Sequence, residues 1–145
     1  MVGRPRYETP QDVANEYSVI AKFSTLFPGA EVTRLSDEGH AFTVLSKKGR
    51  ARVVVEVKTR RNTSVKYPTF MISKGKYDAL CALNRRGLHT GILVQWTDKL
   101  GFVPVPVEHR ITMGGRYDRN DNRDVEAVVL IPVEKFETVG ASYGS

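Results

Sequence analysis

Cysteine is nearly absent: Cys81 is the only one in 145 residues. An internal disulfide is therefore excluded, and a zinc site built on several thiolates has no ligands to draw on. A reducing, cytoplasmic setting is the expectation. No stretch approaches the roughly 18 consecutive apolar residues of a membrane-spanning helix. Met1 to Thr9 is polar and basic with no apolar core, so it does not read as a signal peptide. His40, His89 and His109 show no H-x-x-x-H spacing, which removes the usual His-based zinc reading. Acid is what the middle of the chain lacks. Between Ser46 and Tyr77 stand ten basic residues: Lys47, Lys48, Arg50, Arg52, Lys58, Arg60, Arg61, Lys66, Lys74 and Lys76. The one acid among them is Glu56, so that stretch carries +9 against a net +6, and the remainder carries −3.

Hydrophobic residues make up 41% and charged residues 26%, values of a chain that builds a core rather than of a disordered one. The length suits one domain, expected over residues 9–139, with a loose arm at 1–8 and a tail at 140–145. A basic surplus gathered in one region suits phosphate binding, because each neutralised phosphate releases condensed counterions. A solvated basic face with no partner would look the same by charge alone.

Element signals follow the chain in order. Thr9-Pro10-Gln11-Asp12 is a helix start, with Thr9 as cap and Pro10 at the first helical position. That helix should run to about Leu26 and stop at Phe27-Pro28-Gly29. Its apolar stripe is Val13, Tyr17, Ile20, Phe23 and Phe27, and Glu16 falls on the same face. Val32 to Leu35 suggests a short strand. His40–Leu45 and Arg50–Lys58 read as a hairpin around Ser46-Lys47-Lys48-Gly49. Val53-Val54-Val55 suggests a strand buried on both faces, hence a central one. Arg60 to Tyr67 is a polar loop. Ser73 caps a second helix that Gly87 closes. Gly91 to Trp96 is an apolar strand, and Phe102 to Val107 an edge strand because of Pro104 and Pro106. A polar loop is expected over 112–124 and a last strand over Ala127 to Val133. This order predicts an α/β fold, a mixed sheet flanked by helices.

The stretch Val53-Val54-Val55-Glu56-Val57-Lys58 carries the chemistry. Period two puts Glu56 and Lys58 on one face of a strand whose neighbours are valines. A carboxylate and an ammonium in such a strand are costly unless something compensates. They sit at the strand's exposed end, or they form a site in which Glu56 binds a divalent metal and Lys58 stabilises a reacting phosphate. E-x-K alone is a weak motif.

Glu56-Val57-Lys58-Thr59-Arg60 resembles the second half-motif of the PD-(D/E)xK nuclease superfamily. The chain looks most like its small phage-type members. In those a helix with a glutamate precedes a hairpin, E-V-K-x-R, a tyrosine and an S-x-x-K helix start. The matching elements here are Glu16, residues 40–58, Tyr67-Pro68-Thr69 and Ser73-Lys74-Gly75-Lys76-Tyr77. Val94-Gln95-Trp96-Thr97-Asp98 and the segment from Gly115-Arg116-Tyr117-Asp118-Arg119 to Ile131-Pro132 add to the likeness, which spans about residues 9–136. The resemblance implies a restriction-endonuclease-like αβα core and hydrolysis of DNA dependent on Mg²⁺ (or Mn²⁺), in the host cytoplasm if the chain is phage-encoded.

Carried over by position, Glu56 is a metal ligand, the Val57 carbonyl a second, Lys58 the catalytic lysine and Glu16 the helix acid that completes the site. A rim position paired with a surface base is the other reading of Glu16. Arg60, Arg61, Lys66, Tyr67, Ser73, Lys74 and Lys76 are the expected nucleic-acid contacts, Ser73 and Lys76 because a helix N-terminus binds phosphate; plain capping would explain those two equally. The family also places an aspartate on the first hairpin strand, opposite the glutamate. Counting back leads to His40-Ala41-Phe42, which has no carboxylate. Either Asp37 or Glu38 just upstream supplies the acid, or the register differs, or the metal site is degenerate. The spacing predicts that Glu16 and Glu56 converge on one pocket.

Asp118-Arg119-Asn120-Asp121-Asn122-Arg123-Asp124 alternates like a calcium loop but has Arg123 where the turn glycine belongs, and it is rejected. Gly114-Gly115-Arg116 is too short for a nucleotide loop and reads as a turn. Two functions remain, a nuclease and a catalytically silent nucleic-acid-binding protein on the same fold. An RNA-binding module lacks its aromatic strand signature, although RNA is not excluded as a ligand. A homodimer, as in nucleases that cut both strands, is compatible with the small size.

Overall fold

The computed structural model describes residues 10–37, 39–115 and 125–139, with side chains over 16–36, 39–114 and 126–139. The first helix, α1, spans Pro10–Ser24. Three antiparallel strands follow: β1 (Glu31–Asp37), β2 (His40–Lys47) and β3 (Arg50–Thr59). Lys48 and Gly49 turn β2 into β3 with φ of 53° and 76°. Two successive positive φ angles match the right-handed strand twist, and a glycine at the second position adopts one without strain. After a loop come β4 (Thr69–Ser73), α2 (Lys74–Arg85), β5 (Thr90–Gln95) and β6 (Leu100–Pro104). Strands β7 (Arg110–Gly115) and β8 (Val125–Pro132), a short 3-10 turn and β9 (Glu137–Thr138) complete the described chain.

The strands form two sheets. The larger has the order β1-β2-β3-β5-β6-β9, and its β3–β5 pair is parallel while its other pairs are antiparallel. The smaller is β4-β8-β7. Strand β3 lies inside the large sheet, as its valine run predicts. Its two faces bury different cores. Val53 and Val55 meet Val19, Ile20 and Phe23 of α1, together with Leu45 and Leu93. Val54 meets Phe42, Ile92 and Val94, then Tyr77, Leu80 and Leu83 of α2 and Ile72, Val129 and Ile131 of the small sheet. Alternation along one strand thus sorts residues to opposite sides of the molecule.

The mixed α/β architecture, with a helix on each face of a mixed sheet, is compatible with the restriction-endonuclease-like fold expected from the sequence. Two local readings need correction, and one strand went unread. Tyr17, placed on the apolar stripe, is 69% exposed. Its phenol carries a hydroxyl that water satisfies, whereas Val19, Ile20 and Phe23 fill the interface. Thr69–Ser73, to which the sequence assigned no element, is a strand, because Phe70 and Ile72 alternate into the core across from Ile131 and Val129. Gly114 and Gly115 end strand β7 instead of forming a turn, and Gly114 lies where an added Cβ would come within 3.1 Å of Val128. The arm, the tail, Thr9 and the calcium-like segment 118–124 fall outside the described residues.

Candidate active site

Strand alternation sends Glu56 and Lys58 to the α2 face. Their neighbours across the parallel ladder, Ile92 and Val94, belong to the core on that side. Glu56 is a buried carboxylate, 5% exposed. One of its oxygens, Oε2, accepts a hydrogen bond from Lys76 Nζ and lies 3.5 Å from Lys58 Nζ. Lys76 is itself buried, in the first turn of α2. A buried charge needs an opposite partner at close range, and Glu56 provides one for both ammonium groups. One carboxylate against two ammoniums leaves a local charge of +1. Burial pushes Lys58 below the ordinary lysine range; Glu56 opposes that shift, while repulsion from Lys76 and Arg60 adds to it.

The sequence explains how Lys76 arrives there. Ser73 ends β4 with extended φ and ψ, and its Oγ accepts the backbone N–H of Lys76 at 3.2 Å. Ser73 caps α2, and the cap aims the first turn of the helix at β3. That turn contains no acid, so the positive end of the helix, Lys76 and Lys58 share one electropositive corner. Lys58 is a third exposed and reaches solvent. His40 lies on the same corner: a Cβ added to Gly75 would sit 3.5 Å from its Nε2.

The hairpin register answers the question of the missing aspartate. Thr43 pairs with Val55, and one further step places Phe42 beside Glu56. Phe42 is a core residue. The counted register is thus the real one, and the position opposite the glutamate holds no acid. Asp37 closes β1 across from His40, but its side chain, like all of Glu38, lies outside the described residues.

Glu16 does not join this corner. It is bound by Arg34 and accepts from Thr43 Oγ1 at 3.4 Å. Arg34, Thr43 and Val55 follow one another across β1, β2 and β3 on the α1 face, whereas Glu56 faces α2. The expected convergence of Glu16 and Glu56 fails for that reason: helical spacing turned Glu16 toward the sheet, but toward its other side. Val57 also faces α1, packed against that core.

The expected nucleic-acid residues divide. Arg60 continues the row of Glu56 and Lys58, its guanidinium 4.8 Å from the Phe70 ring centre. Arg61, Lys66 and Tyr67 lie exposed in the adjoining loop, with Lys66 Nζ 5.5 Å from the Tyr67 ring centre. Lys74 is paired with Asp78 at 2.6 Å. Lys47, Lys48, Arg50 and Arg52 surround the hairpin turn at the opposite end of β3; six residues at about 3.3 Å each put Arg52 roughly 20 Å from Lys58. The single basic stretch of the sequence is two basic regions in space.

Two contacts escaped sequence reasoning. Lys76 serves Glu56 directly, which no local pattern signals because 20 residues separate them. Asp98 receives the Ser64 N–H at 2.8 Å and the Ser64 hydroxyl at 2.7 Å. Those bonds hold the Asp98 carboxyl below the usual range and tie the 60–68 loop to the β5–β6 turn.

Removing the carboxylate should cost folding energy. Glu56→Ala leaves Lys76 buried without its partner, so a loss of about 3–5 kcal/mol is expected. A double variant, Glu56→Leu with Lys76→Met, should recover most of it. Urea unfolding measures both; equal losses in the two proteins would mean that the pair is not what holds this corner.

No helix among the described residues is long and apolar enough to cross a membrane. No curated protein and no solved structure matches the chain. The family model described as "Phage putative PDDEXK endonuclease" matches residues 2–139. With nearly the whole chain covered, and with Glu56-Val57-Lys58 on a central strand beside the amino end of α2, the protein belongs to this phage PDDEXK endonuclease family.

Proposed function

We propose that the protein is a nuclease that hydrolyses phosphodiester bonds in DNA, with the reacting phosphate at Lys58, Lys76 and the amino end of α2. The observation that carries this reading is the E-V-K strand ending beside a helix N-terminus with two ammonium groups and a single carboxylate. A phosphate entering there meets +1 of side-chain charge beside the positive end of α2, in place before it arrives. Such preorganised donors lower the barrier because they need not reorient as charge builds on the phosphoryl oxygens. Glu56 fixes the two ammoniums in place. Lys58, the more exposed, is the one positioned to touch the reacting group.

A divalent cation, Mg²⁺ or Mn²⁺, enters through the family alone, with Glu56 and the Val57 carbonyl as the ligands that the resemblance assigns. The described residues do not fit it as they stand. Among them no group of three or more His, Cys, Asp or Glu could hold a metal, and Glu56 Oε2 is taken by lysines. Asp37 and Glu38 are the acids near β2 that the sequence offers to complete a ligand set. This shortage favours a second reading, a DNA-binding protein on the nuclease fold that does not cleave.

A labelled DNA strand incubated with Mg²⁺, with Mn²⁺ and with EDTA separates the two. Product with a divalent ion and none in EDTA is expected, with Mn²⁺ ahead of Mg²⁺ because it binds an oxygen-poor site more tightly. Binding without product under every condition would select the silent reading. An RNA strand run alongside tests the assignment of DNA as substrate.

A further inference from the structure

Beyond Lys58 the row Glu56-Lys58-Arg60 runs into a cavity of about 400 Å³, within the size range of small-ligand sites. Trp96 and Phe70 line it, and both are nearly fully buried. Phe136 braces them from behind, with ring centres 5.1 Å from Trp96 and 5.7 Å from Phe70. Tyr67 and Met71 line the mouth and are about half exposed. Arg60 forms the side toward Lys58, its NH2 group 3.5 Å from the Met71 carbonyl oxygen. Asn62 adds a polar group; its Nδ2 is given to Thr63 O. The loop carrying Asn62 and Tyr67 is held by the Ser64–Asp98 bonds and by Thr97 N–H to Asn62 O at 3.2 Å. The cavity is thus built on braced rings and a pinned loop.

We propose that this cavity binds a nucleobase of the DNA strand, adjacent to the phosphate held at Lys58. The inference rests on the nuclease reading and extends it to how the strand is positioned. Its occupant must offer a flat apolar body to the half-exposed Tyr67 ring and Met71 at the mouth, above a floor of buried Phe70 and Trp96, and an anion to a basic rim. Arg60 lines the cavity, Arg61 and Lys66 lie exposed on the loop that carries Asn62 and Tyr67, and Asp98 on the adjoining turn is engaged by Ser64. A nucleotide combines both parts in one unit: its base stacks and its phosphate meets Arg60. Arg60 follows the end of β3 and is two residues from Lys58, about 6.6 Å of extended chain, so the base and the reacting phosphate belong to neighbouring nucleotides. Stacking accepts any base because each has a π face, so the cavity grips the strand with little sequence selection.

The protein contains one tryptophan, Trp96, and it lies in the cavity floor, so its emission senses a base seated above it. The full chain is titrated in EDTA at low salt with a labelled oligothymidylate of about a dozen nucleotides, and with the same backbone lacking bases. The thymidylate strand should change Trp96 emission and bind about tenfold more tightly by anisotropy than the abasic strand, which should leave Trp96 unchanged. Tyr67→Ala, a change at an exposed position, should reduce most of that tenfold preference. Equal affinity and equal Trp96 response for both strands would overturn the base site while leaving phosphate binding intact. Failure of both strands to bind would instead overturn the nucleic-acid reading on which it rests. A folded Tyr67→Ala protein with the full preference and the full Trp96 response would remove Tyr67 from the site.

Discussion

Lys58→Ala is expected to lower cleavage by roughly 10²–10³-fold, the loss typical of deleting one preorganised donor to a developing oxyanion. Lys58 is two residues from Glu56 on the same strand face, 3.5 Å from its carboxylate and a third exposed. It is therefore the cation of this corner that reaches a phosphate without disturbing the core. Stability should hardly change. Burial already disfavours the charged form of Lys58, and Glu56 keeps Lys76 when Lys58 is gone. Affinity for DNA should fall less than about tenfold, since one of some six phosphate contacts disappears. Single-turnover cleavage, urea unfolding and filter binding on the same preparation measure the three quantities. A folded variant that cuts at the parental rate would remove Lys58 from the mechanism. Lys76→Ala would be a less clean test, because that ammonium is buried and its loss alters Glu56 as well.

Raising salt from 50 to 200 mM is expected to weaken DNA binding roughly a thousandfold, the fall that corresponds to about six neutralised phosphates. Ten basic residues lie in the 46–77 stretch, but the fold divides them. Lys58, Arg60, Arg61 and Lys66 stand at the site end of β3, with Lys74 and Lys76 opening α2, whereas Lys47, Lys48, Arg50 and Arg52 stand at the hairpin end. Lys74 already has Asp78, and Lys76 has Glu56, so the count of about six draws on both regions. Base identity should matter little to the slope, because phosphates carry the electrostatic part of binding. A series flat across that salt range would show that the basic surplus is a solvated face.

Much of the molecule follows from local pattern. The run Val53-Val54-Val55 placed β3 inside a sheet because only a strand covered on both faces hides three successive valines. Ser73 and Gly87 bracket α2 because a hydroxyl satisfies free helix N–H groups and a glycine accepts positive φ at the end. Glu56 and Lys58 share a face because the side-chain period of a strand is two. Each of these is decided within a few residues, and the sequence states it.

Other features are decided by which surfaces meet. Helical spacing turns Glu16 toward a sheet, but it does not say which face of that sheet the helix covers. α1 took the face of Val53 and Val55, so Glu16 found Arg34 and Thr43 instead of Glu56. The partner of Glu56 came from 20 residues away, when α2 laid its first turn against β3. Strand β8 was legible but β4 and β7 went unread, because a separate sheet exists only through pairing between distant segments. The aromatic cavity beside Arg60 arose in the same way, from Tyr67, Phe70 and Trp96 on different elements. Period and capping are properties of neighbouring residues and are written in the order of the chain. The side of a sheet that a helix covers and the partner of a buried charge are properties of packing, where the lowest free energy of the whole assembly selects among arrangements that the local pattern leaves equal.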